Sequence, residues 1–327
     1  MVWCRLSSGP VISVTVRVPA KVNLQLAVGP PRADGYHDLV NVFHAVSLFD
    51  EVTASAAGSA TGSATGSGTG GSGVTVEVTG ESAGEVPLDE DNLAVRAARA
   101  LARHAGRPPG VRLVIRKAIP VAGGMAGGSA DAAAALVACD RLWGLGLPAA
   151  RLMDIGAELG SDVPFALLGG TAVGTGRGER LSPLPDAGPF HWVFALAGGG
   201  LSTPAVYAEC DRLRAAAGQD PGEPAISTAL VAALAAGDAR ALGAALANDL
   251  EPAALALRPS LAGVLAAGRE HGALGALVSG SGPTCAFLAG SAGRAKSLAA
   301  ALRAAGVCRA AVTAAGPVPG ATVVSGG

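Results

Sequence analysis

The run Pro120-Val-Ala-Gly-Gly-Met-Ala-Gly-Gly-Ser-Ala-Asp131 constrains this chain more than any other segment. Val111, Leu113 and Ile115 lead into it in strand alternation, and an alanine-rich helix follows from near Ser129 to about Gly144. Glycine permits close approach of backbone to a ligand and φ > 0. A helix start presents unpaired N–H groups at the positive end of its dipole. Strand, glycine turn and helix start together predict an anion site, most often a phosphate site. Two familiar phosphate loops do not fit. A Walker loop requires lysine where Ser129 stands, and the dinucleotide fingerprint requires glycine where Ala122 stands. The bland alternative is a tight strand–helix turn. Ala132 to Ala135 have no bulk, so the helix can lie close to a sheet and aim its first turn.

Composition excludes several classes of function. The formal net charge of −1 over 327 residues argues against broad binding of nucleic acid or an anionic membrane. Aromatic residues make up only 3%, too few for base-stacking platforms except locally. The five cysteines stand singly with no CxxC pair, so reduced thiols and a cytoplasmic location are expected. The histidines form no metal-ligand spacing, and the N-terminus has no signal-peptide pattern.

The length predicts two domains. Ile12, Val14, Val16 and Val18 alternate as a half-buried strand, and a second strand-rich stretch covers 39–52. Residues 53–73, almost all Ala, Gly, Ser and Thr, read as a flexible low-complexity insertion in a hairpin loop. Asp91-Asn92 caps a helix through about His104. Prolines 183, 185 and 189 mark a domain connection, with domains expected at 1–184 and 185–327. Helices are expected at about 204–217, 226–236, 239–256, 260–271 and 292–305, and strands and helices alternate in both halves as α/β or α+β layers.

Four further segments carry candidate chemistry. In Pro19-Ala-Lys-Val-Asn-Leu24, Lys21 and Asn23 point the same way in a strand, offering donors to a phosphate or carboxylate. Gly35-Tyr36-His37-Asp38 offers a Tyr-His pair able to stack on and hydrogen-bond a flat ring. Asp162, before Val163-Pro164, is either a helix N-cap or a general base for a hydroxyl attacking a phosphoryl group. Ser279-Gly-Ser-Gly-Pro-Thr284 is a second glycine loop, either a tight hairpin or a lining of the same cleft. Gly174-Thr-Gly-Arg-Gly178 reads as a loop only.

These segments, in this order from Pro19 to Thr284, resemble the ordered motifs of the galacto-, homoserine, mevalonate and phosphomevalonate kinase superfamily. Its ATP loop is neither Walker nor dinucleotide in type. Gly35-Tyr-His-Asp-Leu39, Leu159-Gly-Ser-Asp-Val-Pro-Phe165, Leu201-Ser-Thr-Pro-Ala-Val-Tyr207 and Asn248-Asp-Leu-Glu251 resemble more closely a member whose acceptor is a cytidine-diphosphate-linked methylerythritol. Met125-Ala126 departs from the Leu-Gly of many relatives, which restricts one backbone position. The resemblance implies an α+β fold of two domains meeting at a cleft. The N-terminal one would contain a left-handed βαβ unit and the C-terminal one would be ferredoxin-like. It implies ATP and Mg²⁺, and a small-molecule acceptor phosphorylated on its 2-hydroxyl. It assigns Lys21 and Asp162 as catalytic residues and Pro120, Ala122, Gly123, Gly124, Met125, Ala126, Gly127, Gly128, Ser129 and Ala130 as the ATP loop. Asn23, Tyr36, His37 and Tyr207 would bind the acceptor, and Ser129 is a candidate Mg²⁺ ligand. No nucleic-acid or membrane partner is expected, and the protein is expected to be a monomer or weak dimer. The competing readings are a homoserine- or mevalonate-type kinase, a nucleotide-binding protein without catalysis, and an RNA-binding protein.

Overall fold

The computed structural model describes residues 13–57, 73–121 and 123–326. Ile12, Ala122 of the glycine run and residues 58–72 of the insertion lie outside the described residues.

The first sheet is built on a long antiparallel pair, β1 (Ser13–Pro31) and β2 (His37–Ala56). β3 (Val74–Gly80) runs to α1 (Leu93–His104) and on to β4 (Val111–Lys117), which lies parallel to β3, making a βαβ unit. Asn92 caps α1 as expected, accepting from the backbone N–H groups of Ala94 and Val95. α2 (Gly127–Trp143), α3 (Ala149–Leu159) and α4 (Val163–Leu168) follow, then the hairpin β5 (Thr171–Gly176) and β6 (Arg180–Pro183). β5 pairs with β2, so the Gly174–Gly178 segment is strand and hairpin turn, not loop alone.

The second sheet takes β7 (Phe190–Leu196) after the proline-rich connection. Helices α5 (Thr203–Ala216), α6 (Thr228–Ala236) and α7 (Ala239–Ala245) follow, then the short strand β8 (Ala247–Asn248), α8 (Glu251–Leu257) and α9 (Ser260–Glu270). β9 (Gly275–Val278), β10 (Cys285–Ala289), α10 (Ala292–Ala304) and β11 (Ala310–Gly316) complete an antiparallel sheet of order β11-β7-β10-β9. That order, with a helical crossover after the first and third strands, is the ferredoxin-like arrangement, with extra helices inserted after β7. β12 (Thr322–Gly326) returns to pair with β1 on the edge away from β2, and β8 pairs with β1 further along that same edge, so the first sheet draws strands from both sides of residue 185.

Two further expectations are corrected. The insertion does not begin at Thr53, because Thr53–Ala56 extend β2 and pair with both β1 and β4. Ala54 is fully buried in that pairing. The helix expected over 239–256 is two helices. Asn248 breaks it by donating to the carbonyls of Val278 (2.7 Å) and Gly280 (2.8 Å), while its Oδ1 accepts from Leu250 N–H.

Burial explains why β1 stops alternating. Val14 and Val16 face the core and Arg17 faces solvent, but every residue from Val18 to Leu26 is buried. α2 covers one face there, and its Ala130 and Ala132–Ala135 are buried where the helix packs between the sheet and α1. The glycine run is fixed at both ends by a buried ion cluster. Lys117, at the end of β4, pairs with Asp50 of β2 and with Asp131 of α2 at 2.7 Å. The other Asp50 oxygen accepts from the N–H groups of Ala118 (2.6 Å) and Ile119 (2.8 Å). Burial raises the Asp131 carboxyl well above the usual range, with the Lys117 charge opposing. Burial also opposes the Lys117 charge, but its two carboxylates outweigh that and hold it more basic than usual. Replacing Lys117 by Met strands two buried carboxylates and is expected to cost about 3–5 kcal/mol of unfolding free energy in denaturant titration. A loss below about 1 kcal/mol would contradict this role for the cluster.

Candidate active site

Lys21 and Asn23 leave β1 on the same side, as their spacing predicted. Lys21 Nζ donates to Asn23 Oδ1 at 2.7 Å, and Asn23 Nδ2 donates to Asn41 Oδ1 at 2.8 Å. Asp162 Oδ2 stands 3.8 Å from Lys21 Nζ. Lys21 is buried, which lowers its ammonium pKa from the ordinary lysine value, and the Asp162 charge opposes that shift. Asp162 occupies the N-cap position of α4 but makes no side-chain cap bond. Pro164, in the first turn of that helix, has no N–H to offer. The carboxylate is therefore not committed to holding its helix, and it faces the cleft.

The glycine run meets both other segments at van der Waals distance. The N–H of Lys21 donates to the carbonyl of Met125 at 3.3 Å, and Ser279 Oγ donates to the carbonyl of Gly124 at 3.1 Å. Gly124 has φ +75°, and a Cβ there would collide with the Ser279 carbonyl. A Cβ on Gly280 would lie 3.2 Å from both Asn23 Oδ1 and Lys21 Nζ. α2 begins two residues earlier than the sequence suggested, at Gly127, so the first-turn N–H groups belong to Gly127, Gly128 and Ser129. Gly123, Gly124, Ala126, Gly127, Gly128 and Ser129 line a cavity of about 340 Å³ with Lys21, Asn23 and Asp162.

Other members of the run are placed differently. Met125 is fully buried in the core and contributes only backbone here. The N–H of Ala130 is bonded to the Ala126 carbonyl inside α2. Pro120 lines a different cavity, of about 190 Å³, with Gly123, Thr284 and Arg309.

A second cavity, of about 670 Å³, adjoins the first and is lined by Tyr36, His37, Tyr207 and Asp211. His37, buried at the start of β2, places Nε2 3.0 Å from Asp211 Oδ1, and its ring packs on Tyr207 at a 5.1 Å centroid distance. Burial drives the Tyr207 phenol pKa up, with the Asp162 charge adding to it, so the hydroxyl keeps its proton. Tyr36 is 54% exposed, and the Arg177 guanidinium lies 5.4 Å from its ring centroid. Sequence reasoning missed Asn41, Asp211 and Arg177. Asp211 had one available signal, since it follows Tyr207 by four residues and so shares its face of a helix.

A loop of backbone donors, a buried lysine–carboxylate pair and an adjoining aromatic cavity suit transfer of a phosphoryl group to a bound hydroxyl. The "GHMP kinases N terminal domain" family matches residues 92–170, and "GHMP kinases C terminal" matches residues 230–308. A 4-diphosphocytidyl-2-C-methyl-D-erythritol kinase from Thermobifida fusca (strain YX) is 67% identical over 95% of this chain and 98% of its own length. The protein of the same name from Streptomyces coelicolor is 60% identical over 96% of this chain and 100% of its own length. The chain belongs to the 4-diphosphocytidyl-2-C-methyl-D-erythritol kinase family of GHMP kinases. Its members are ATP-dependent phosphotransferases, and this chain is one. A crystal structure of 4-(cytidine 5'-diphospho)-2C-methyl-D-erythritol kinase superposes with a TM-score of 0.71 at 34% identity, over 92% of this chain and 98% of that one. A homoserine kinase from Cytophaga hutchinsonii shares the fold at a TM-score of 0.70 and 20% identity, over 97% of this chain and 98% of its own. Among the described residues, no helix is long and apolar enough to cross a membrane.

Ala126, noted above as a departure from glycine, caps α2 at φ 60° and ψ 33°, the left-handed region an L-residue enters at a cost of about 1–2 kcal/mol. Ala126→Gly is expected to raise stability by about 0.5–1 kcal/mol after glycine's larger unfolded-state entropy is allowed for. Thermal unfolding measures it, and a lower midpoint would show that the loop is not strained there.

Proposed function

We propose that this kinase transfers the γ-phosphoryl group of ATP to the 2-hydroxyl of 4-diphosphocytidyl-2-C-methyl-D-erythritol. The observation that carries the reading is the position of the Lys21–Asp162 pair, between the glycine loop on one side and the aromatic cavity on the other. Gly123 through Ser129, with the exception of the inward-facing Met125 side chain, cradle the ATP phosphates through backbone N–H groups. The cavity of about 230 Å³ beyond the loop, lined by Val86, Pro87, Asn92, Leu93 and Val121, takes the adenosine.

In the second cavity Tyr36 and Tyr207 supply aromatic faces for cytosine, and His37, oriented by Asp211, supplies a ring nitrogen to its polar edge. The methylerythritol end then reaches Asp162. Asp162 takes the proton of the 2-hydroxyl as that oxygen forms its bond to the γ-phosphorus and the bond to the β-phosphate oxygen breaks, releasing ADP. Asn23 fixes the Lys21 ammonium, and Lys21 places its charge on the transferring group. The donors suit Mg²⁺, a hard cation held by one or two carboxylates and phosphate oxygens. Ser129 Oγ and Asp162 both line the cavity, and the ion bound there would neutralise phosphate charge.

Asp162→Asn keeps the shape and removes the proton acceptor. Its kcat in an ADP-release assay is expected to fall about 100-fold or more with an unchanged circular dichroism spectrum. Turnover within a factor of three of the parent protein would exclude Asp162 as the base.

A further inference from the structure

We infer that Arg177 is the binding residue for the diphosphate of the acceptor, a deduction that rests on the acceptor proposed above. The two cavities share Leu39, Ser161, Arg177, Thr203 and Tyr207, and of these only Arg177 carries a formal charge. A cytidine diphosphate linked to a polyol places an aromatic base at one end, a reacting hydroxyl at the other and two anionic phosphates between. With the base beside Tyr36 and His37 and the hydroxyl beside Asp162, the phosphates lie where the two cavities join.

Lys21 is not available for them. Its ammonium is buried, bonded to Asn23 Oδ1 at 2.7 Å, and faces Asp162. Arg177 is exposed on the turn between β5 and β6. Among the described residues its guanidinium has no carboxylate partner; the contact it makes is the face of Tyr36. A guanidinium stacked on a ring keeps its edge N–H groups free, and those match two phosphate oxygens in a bidentate bond. The Ser161 and Thr203 hydroxyls line the same junction and add neutral donors. The Tyr36 contact thus holds the guanidinium at the junction, where its charge selects for a diphosphate behind the base.

The test compares cytidine with CDP by calorimetry, using the parent protein, Arg177→Gln and Arg177→Lys. The parent is expected to bind CDP more tightly than cytidine. In Arg177→Gln the CDP advantage is expected to shrink about 10- to 100-fold while cytidine affinity changes less than threefold, and Arg177→Lys recovers part of the loss. In ADP release, Arg177→Gln raises KM for the acceptor by a similar factor and leaves KM for ATP unchanged. An undiminished CDP advantage in Arg177→Gln overturns the assignment. So does equal loss of cytidine and CDP, which would mean that Arg177 acts only by holding Tyr36. A parent protein that binds neither ligand overturns the acceptor reading itself, and this inference with it.

Discussion

The hydrogen bond from Ser279 to the carbonyl of Gly124 joins residues 155 apart in sequence, and the site is arranged around that contact. Backbone meets backbone there because neither Gly124 nor Gly280 carries a Cβ. The same approach brings the Met125 carbonyl to the N–H of Lys21. Three segments with no local relation are thereby packed into one wall, and the first turn of α2 is aimed along it. A single methyl group at Gly124 would separate the glycine loop from the second sheet, and with it the loop's donors from Lys21.

Charge is managed on both sides of this wall. Behind it, Lys117 with Asp50 and Asp131 fixes the two ends of the loop, away from the Lys21–Asp162 pair. In front, Lys21 is desolvated but held by Asn23 and Asp162. A buried ammonium is costly alone and strongly felt by a ligand phosphate, since little water screens it. The polypeptide also uses low bulk as a structural device: α2, which packs against β1 and β2, buries mostly alanine.

Much of this was legible in the sequence because it depends on local chemistry. Asn92 announced α1, glycines and prolines punctuated the elements, and alternation located β3 and β4. The motif residues Lys21, Asn23, Asp162, Gly123–Gly124 and Gly127–Ser129 also converge on one cavity. The rest depends on partners remote in sequence. Asp50, Lys117 and Asp131 have no shared local pattern, so nothing marked them as a cluster. The break at Asn248 arises from bonds to carbonyls of β9 and the loop after it, while the surrounding alanines have helical propensity throughout. Thr53–Ala56 look like linker until β1 and β4 are placed beside them. Arg177 was concealed by its glycines, which signal a turn but not what the turn presents.

In this cleft a phosphoryl group passes from ATP to a hydroxyl selected by a distant cytidine. The decisive measurement is ADP release from ATP with 4-diphosphocytidyl-2-C-methyl-D-erythritol, homoserine, mevalonate and galactose offered in turn to the purified protein. Rapid, saturable release is expected with the cytidine-linked acceptor and background release with the other alcohols. Equal or faster release with homoserine, mevalonate or galactose would contradict that selection.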